Sequence, residues 1–464
     1  MSEARPHKLT TIGKLSFTVG DYACNLYWQS VSIFLLFFYT DTVGLSAATA
    51  GLIYMIASIV DAILDPIMGS IADRTRTRNG RYRPYILFGA VPLGLSFVLL
   101  YWKPPLEGLL LAFWMMMSHI VFRFAYTALS IPYTSLNARL TDHSEERSTM
   151  AGMRMVFGTL AALTISYFTL PLVTAFGRGD AAIGYTWAAA AFAIVATAIF
   201  PLVYLCTKEP MDEQDGEATT ASAYQLYWRG TLANKAFWVL VLATCTAWIC
   251  STAVGKSILY YFKYYLHAEG SARYALAAMS LAGLVIVPAW VWVTKFIGKR
   301  NAWFAASGWG LVMLTIFGLT DIRVPGLMIA WLISMNICSL GLAFTFWSML
   351  PDTVEYGEWA SGIRTESFIF GLGQFFLKVA LGIGAGLFGV LLGFVGYVPN
   401  VEQSAQTLAG MKSLMVGLPA FGLAGAFLAM TLYPMRKGGH ETIIDQLAAR
   451  RNAEPQTLNP DVAT

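Results

Sequence analysis

The chain has 464 residues, of which 56% are hydrophobic and only 12% charged, about half the charged fraction of a soluble domain. That composition excludes an ordinary soluble globular protein and makes the bilayer the expected solvent. Thirty-one basic against 27 acidic residues leave a net charge of +4, too small and too scattered for a nucleic-acid-binding face or an acidic tail.

A spanning helix needs roughly 20 mostly apolar residues. On that ruler the sequence predicts helices near 16–40, 46–72, 84–102, 108–138, 149–176 and 182–206. A polar stretch follows, with the acidic run Asp212, Glu213, Asp215 and Glu217, and apolar runs resume near 236–265, 272–296, 302–320, 325–350, 366–396 and 409–434. The expected organisation is a six-helix half over 1–207, a linker over 208–234, a second half over 235–436 and a tail over 437–464. Arg5, Lys8 and Lys14, then Arg74, Arg76, Arg78, Arg81 and Arg83, then Lys295, Lys299, Arg300, Arg436 and Lys437 all fall on one side of these spans. By the positive-inside rule that side is cytoplasmic, both termini lie there, and the loop Lys103, Pro104, Pro105 lies opposite. The first apolar run, from about Leu15, has no small-residue cleavage site after it, so no removed signal peptide is expected. Two six-helix halves around a polar linker predict an all-α membrane protein of the major facilitator fold, with a substrate site between the halves near the midplane. Cys24, Cys206, Cys245, Cys250 and Cys338 sit in apolar stretches without zinc or disulfide spacing and read as free thiols.

An ionisable side chain at bilayer depth is costly unless it meets a partner or a cavity, so each is a functional candidate. In SIVDAILDPIMG, Asp61 and Asp65 stand at i and i+4, on one helix face and about 6 Å apart in rise. Two carboxylates so placed repel, and a proton or Na+ between them relieves the repulsion; the alternative is an ion pair with a basic residue elsewhere. In HIVFRFAYTALSIPYTSL, helical spacing puts Arg123, Tyr126, Thr127 and Ser130 on one stripe. Thr127 and Ser130 offer neutral oxygens to a cation or bonds between helices, Tyr126 offers a surface to a sugar ring, and Arg123 suits Asp61, Asp65 or a substrate carboxylate. Arg123 thereby raises the narrower expectation of an acidic substrate such as a hexuronide. Asp21, Arg154, Lys256 and Lys378 extend the set over both halves. Lys263 reads as snorkelling to the interface and His119 as a packing residue. Tyr27, Trp28, Trp248 and Trp347 suit sugar stacking or the interfacial belts, and the glycines of LGIGAGLFGVLLGF suit close helix packing.

The run DRTRTRNGRYRP, which holds Asp73 and Arg74, is a topology determinant or a lipid anchor on charge alone. Opposite it in sequence, PDTVEYGEWASGIRTES places Asp352, Glu355, Glu358 and Glu366 beside Arg364 on the same expected side. These charges form a candidate cytoplasmic gate, with Asp73, Arg74, Asp352, Glu355 and Arg364 as its members, or else a solvated loop.

GDYACN around Asp21, FFYTDTVGLS, DAILDPIMGSIADRTRTRNGRYRP, SIPYTSL and PDTVEYGEW with GIRTES resemble the glycoside-pentoside-hexuronide:cation symporter family over nearly the whole chain, nearer to its xyloside branch. The resemblance implies a multi-pass protein of the bacterial inner membrane with no cofactor or enzyme activity, acting as a monomer on a sugar and a coupling cation, Na+ or H+. It implies cation-binding roles for Asp61, Asp65 and Thr127, with any Na+ held at Asp61 and Asp65. It implies sugar-contacting roles for Asp21, Tyr126 and Arg154, and puts Lys378 near the cation. The chain departs from the family's melibiose-transporting branch at Gly20, Ser58, Ser130 and Thr134, where that branch has lysine, arginine, aspartate and tryptophan. Without a carboxylate at Ser130, two carboxylates remain and a proton can serve as well as sodium. Symport is the expected function, with Arg123, Ser130 and Lys378 completing the candidate substrate contacts. The rivals are lysolipid transport on the same fold and sugar sensing without transport.

Overall fold

The computed structural model describes residues 11–140, 144–207, 221–436 and 438–453, and every regular element among them is helical. In chain order the helices are α1 Thr11–Phe37, α2 Ala47–Arg74, α3 Arg83–Leu100, α4 Gly108–Arg139, α5 Ser144–Gly177, α6 Ala181–Cys206 and α7 Ala221–Leu232. They continue as α8 Lys235–Tyr260, α9 Ala272–Ile297, α10 Lys299–Leu319, α11 Pro325–Ser361, α12 Glu366–Phe394, α13 Ala405–Thr431 and α14 Gly439–Ala453. Short π-helical turns, Phe38–Thr42 and Tyr261–Tyr265, prolong α1 and α8. Arg5, Lys8, the acidic run Asp212, Glu213, Asp215 and Glu217, Lys437 and the tail beyond residue 453 lie outside the described residues.

Among the described residues, eleven helices are long and apolar enough to cross a membrane, and α1 is not one of them. The reason is a polar stripe, Asp21, Asn25 and Gln29, spaced a turn apart. α1 is long enough to span, but it spends part of its surface on polar groups that face inward.

The predicted spans are recovered as helices, with three corrections. α11 continues past the expected end at 350 to Ser361, through Pro351. Pro351 removes the amide that would meet the Trp347 carbonyl, and in the same turn the Ser348 carbonyl accepts from Lys299 Nζ at 2.8 Å. The linker contains α7, and the tail contains α14; both are short and polar, so hydropathy gives no sign of them. α7 is held by Trp228, whose ring meets Phe368 edge-on at 5.2 Å. α14 is clasped to α11 by His440 on Glu355 and by Trp359 Nε1 on Gln446 at 2.7 Å. Helix starts follow ordinary capping rules, with Ser46, Asp180, Asn234 and Ser404 each accepting a first-turn amide.

Helices α1 to α6 pack mainly among themselves, as do α8 to α13, and the main bridges between the two sets are α2 on α12 and α5 on α9. The α2–α12 crossing is close because glycines line it. A Cβ at Gly389 would stand 2.5 Å from the Ala47 carbonyl oxygen, one at Gly386 2.9 Å from Met55 Cβ, and one at Gly382 2.6 Å from Ser58 Cβ. In lipid, where apolar faces gain nothing by leaving solvent, such backbone proximity is what drives association. Lys378 lies one turn before Gly382, so the same crossing brings its ammonium to α2. Gly389→Ala should therefore force the helices apart and cost about 1–3 kcal/mol. Gly371→Ala on the same helix, which meets nothing within 4 Å, should be neutral or stabilising; thermal unfolding in detergent compares the two, and equal stability of both variants would refute the contact.

Candidate functional site

Between the two helix sets lies a cavity of about 1110 Å³. One wall carries Asn25, Trp28 and Gln29 of α1, Tyr54, Ser58 and Asp61 of α2 and Arg123 of α4; the other carries Trp248 and Lys256 of α8, Asn336 of α11 and Lys378 of α12. The rest is largely apolar, including Met155, Leu284, Val287 and Leu340.

Asp61 is the most enclosed charge, 1% exposed. It accepts from Thr127 Oγ1 at 2.9 Å, from Lys378 Nζ at 2.9 Å and from Arg123 Nη1 at 3.4 Å. Asp65, one turn on, meets Lys378 Nζ at 2.5 Å and lies 3.2 Å from Thr127 Oγ1. A hydroxyl has one hydrogen, so Thr127 serves one carboxylate at a time, and the shorter contact favours Asp61. The expectation of two unpaired carboxylates is thereby corrected: Lys378, from the other helix set, bridges them. Arg123 Nε donates to His119 Nε2 at 3.2 Å, so His119 is a buried packing group that orients the guanidinium, its Nδ1 left without a partner among the described residues.

A second cluster joins α1 to α5. Arg154 grips Asp21 with two nitrogens, Nη2 to Oδ1 at 3.1 Å and Nε to Oδ2, while the Tyr133 hydroxyl lies 2.9 Å from Asp21 Oδ2 and 2.5 Å from the Phe17 carbonyl, to one of which it donates at a time. Gly20 makes this possible, since a Cβ there would sit 2.6 Å from the Tyr133 ring. Asp21, Arg154, Tyr126 and Ser130 are not among the cavity-lining residues. Tyr126 backs the wall, its ring 6.0 Å from that of Trp28, and Ser130 is half-buried on α4. Of the six candidate substrate contacts, the structure brings Arg123 and Lys378 to the cavity.

Among the proposed gate residues, Asp73, Asp352 and Arg364 have partners inside their own helix set, and Glu355 pairs with His440 of α14. Asp73 accepts from the Tyr82 hydroxyl at 2.6 Å, and burial together with that carboxylate pushes Tyr82 up to about 12. Arg74 is exposed. Asp352 holds Lys299 at 2.8 Å, Glu355 holds His440, and Arg364 bonds Glu358 at 2.9 Å and Glu366 at 2.8 Å. In this conformation these residues do not join the halves. The opposite end is joined instead. Asp41, in the π turn after α1, accepts from Lys263 Nζ at 2.7 Å, from Tyr264, and from Tyr397 at 2.6 Å; its carbonyl accepts from Asn400 Nδ2 at 2.6 Å. Lys263 is thus a cross-half ion pair and not a snorkelling residue. The sequence signal was present: Asp41 lies in FFYTDTVGLS and Lys263 in the corresponding LYYFKYYL of the second half.

The family described as MFS/sugar transport protein matches residues 16–437. The chain belongs to the glycoside-pentoside-hexuronide:cation symporter family of the major facilitator superfamily. It is similar to an isoprimeverose transporter of Lactiplantibacillus pentosus, 32% identical over 451 residues, covering 95% of this chain and 92% of that relative. It is also similar to a glucuronide carrier protein homolog of Escherichia coli (strain K12), 25% identical over 460 residues, covering 96% and 97%. A solved D-xylose-proton symporter shares the fold, with a TM-score of 0.64 at 14% identity over 91% of this chain and 96% of that one. Members of this symporter family are transporters and not enzymes, and the chain is a multi-pass inner-membrane protein that transports sugars or glycosides.

If the Asp41 clasp closes its end of the cavity, a membrane-impermeant maleimide should label Gln29→Cys faster from the end bearing Arg74–Arg83 than from the other. Asp41→Ala should raise labelling from the clasped end several-fold; unchanged labelling there would show that the clasp closes nothing.

Proposed function

We propose that this family member is a cation-coupled symporter of a glycoside, pentoside or hexuronide, working by alternating access. The observation that carries the reading is the Asp61, Asp65 and Thr127 oxygen cluster, which reaches the cavity through Asp61 and is tied across the halves by Lys378. Counting α1 as a span gives twelve crossings and puts both termini on the side of the basic loops, which is cytoplasmic by the positive-inside rule. Residues 1–207 and 235–436 are then the rocking bodies, the Asp41 clasp closes the outer end, and the conformation faces inward. The gate of Asp73, Arg74, Asp352, Glu355 and Arg364 belongs to the opposite state, in which these charges exchange partners across the halves.

The coupling step follows from charge. Lys378 Nζ stands between the carboxylates as an internal stand-in for the external cation, so Na+ or H+ arriving from outside must displace it or neutralise its partner. Either event loosens α12 from α2 and so biases the two-body equilibrium. Because binding free energies are linked, a cation that favours the sugar-binding state is itself favoured by sugar. Asp21 and Arg154 act through Tyr133 and α1, shaping the wall on which Asn25, Trp28 and Gln29 meet the sugar; Tyr126 supports Trp28, and Ser130 stands on α4 outside the cavity lining.

In proteoliposomes with sodium and pH varied separately, the parent should accumulate a glycoside above its external concentration. Asp61→Asn and Asp65→Asn should each bring the accumulation ratio down to about one while counterflow exchange persists. Undiminished uphill uptake in both variants would sink the coupling assignment.

A further inference from the structure

Charge on the cavity wall does not balance. Asp61 is shared by Arg123 and Lys378, and Asp65 takes the second contact of Lys378. Lys256, on α8, is left over. It lines the cavity, is 7% exposed, and among the described residues pairs with no carboxylate. Its ammonium donates to the Ser32 carbonyl of α1 and rests 4.1 Å from the centroid of the Tyr54 ring. The Arg123 guanidinium stands 5.9 Å from the centroid of the same ring. Three cations thus face two carboxylates, and a coupling cation adds to the excess. The Asp21–Arg154 pair is internally neutral and lies outside the cavity lining.

An ammonium that has exchanged water for one carbonyl and an aromatic face is a poorly compensated buried charge. We infer that Lys256 is an anion subsite, and that the transported saccharide carries a carboxylate or a similar oxyanion on its ring. This rests on the symport reading above. It also moves the acidic-substrate expectation from Arg123, whose charge is committed to Asp61 and which is 2% exposed, to the lysine that no acid answers. The anion matches the three cations with three negative charges before the coupling cation binds, and halves the excess once it has. Lys256 belongs to the second helix set, and Ser32, Tyr54 and Arg123 to the first, so an anion taken up by Lys256 replaces a contact between the halves with one through the substrate.

The test uses matched saccharides that differ only in a hydroxymethyl or a carboxylate on the ring: glucose and glucuronate, galactose and galacturonate, methyl β-glucoside and methyl β-glucuronide. In counterflow and gradient-driven uptake by proteoliposomes, the parent should take up the acidic member of at least one pair about tenfold more efficiently. That ratio should fall at least tenfold in Lys256→Met and be largely restored in Lys256→Arg, which keeps the charge. A parent that accumulates neutral members with no preference for acidic ones overturns this inference and leaves symport standing. A parent that accumulates no saccharide overturns both. Retention of the acidic preference in Lys256→Met assigns the anion to another group and also overturns it; the parent's own ratio decides even if a variant does not fold.

Discussion

A carboxylate that is 1% exposed in the middle of an apolar bundle is the constraint around which this molecule is arranged. Asp61 cannot remain charged there without compensation, and three side chains from two helices supply it: Thr127 and Arg123 from α4, Lys378 from α12. The compensation demands that α12 approach α2 to backbone distance, which only residues without side chains allow. Gly382, Gly386 and Gly389 meet that demand, and the two halves of the chain are joined at this crossing as a consequence.

The same physics governs the two ends. Beyond the charged centre, the halves are fastened at the end holding Asp41, whose buried carboxylate collects a lysine and two tyrosines, and whose backbone carbonyl an asparagine, all from the other half. At the basic end, the acids and bases of each half satisfy one another locally. Such an arrangement is asymmetric in energy: opening the clasped end would leave Asp41 and Lys263 short of partners, whereas the basic end holds charges that can be re-paired. On the proposed transport cycle, the exchange between these two closures is what substrate and cation together must drive, and the centre at Asp61 and Lys378 is the point where both can act.

Much of the site was legible because membrane burial makes charges conspicuous. Asp61, Asp65, Arg123, Arg154, Lys256 and Lys378 stand out as ionisable residues in apolar runs, and the i, i+4 spacing correctly places the two aspartates on one face. What spacing does not give is the partner. The sequence permits Arg123 to meet Asp61, Asp65 or a ligand, and permits Asp21 and Arg154 to face a sugar; in the fold, Arg123 is committed to Asp61, and Asp21 and Arg154 to each other. Lys263 and Asp41 were missed as a pair because they are 222 positions apart and each sits at a helix end, where a lone charge has an innocent reading. α7 and α14 were missed because an amphipathic or polar helix leaves no mark on a hydropathy scale.

The sequence by itself determined the solvent, the helices and the bipartite order, because the need for about 20 apolar residues per crossing and the scarcity of buried charge are local properties. It also determined which residues had to be important. Only the tertiary structure decided how their charges are settled, since neutralisation depends on which helices touch, and that depends on glycine contacts between segments more than 300 residues apart, such as Gly51 and Gly389. Among the described residues the fold leaves Lys256 without an acid, a fact about the whole cavity that no window of the sequence contains.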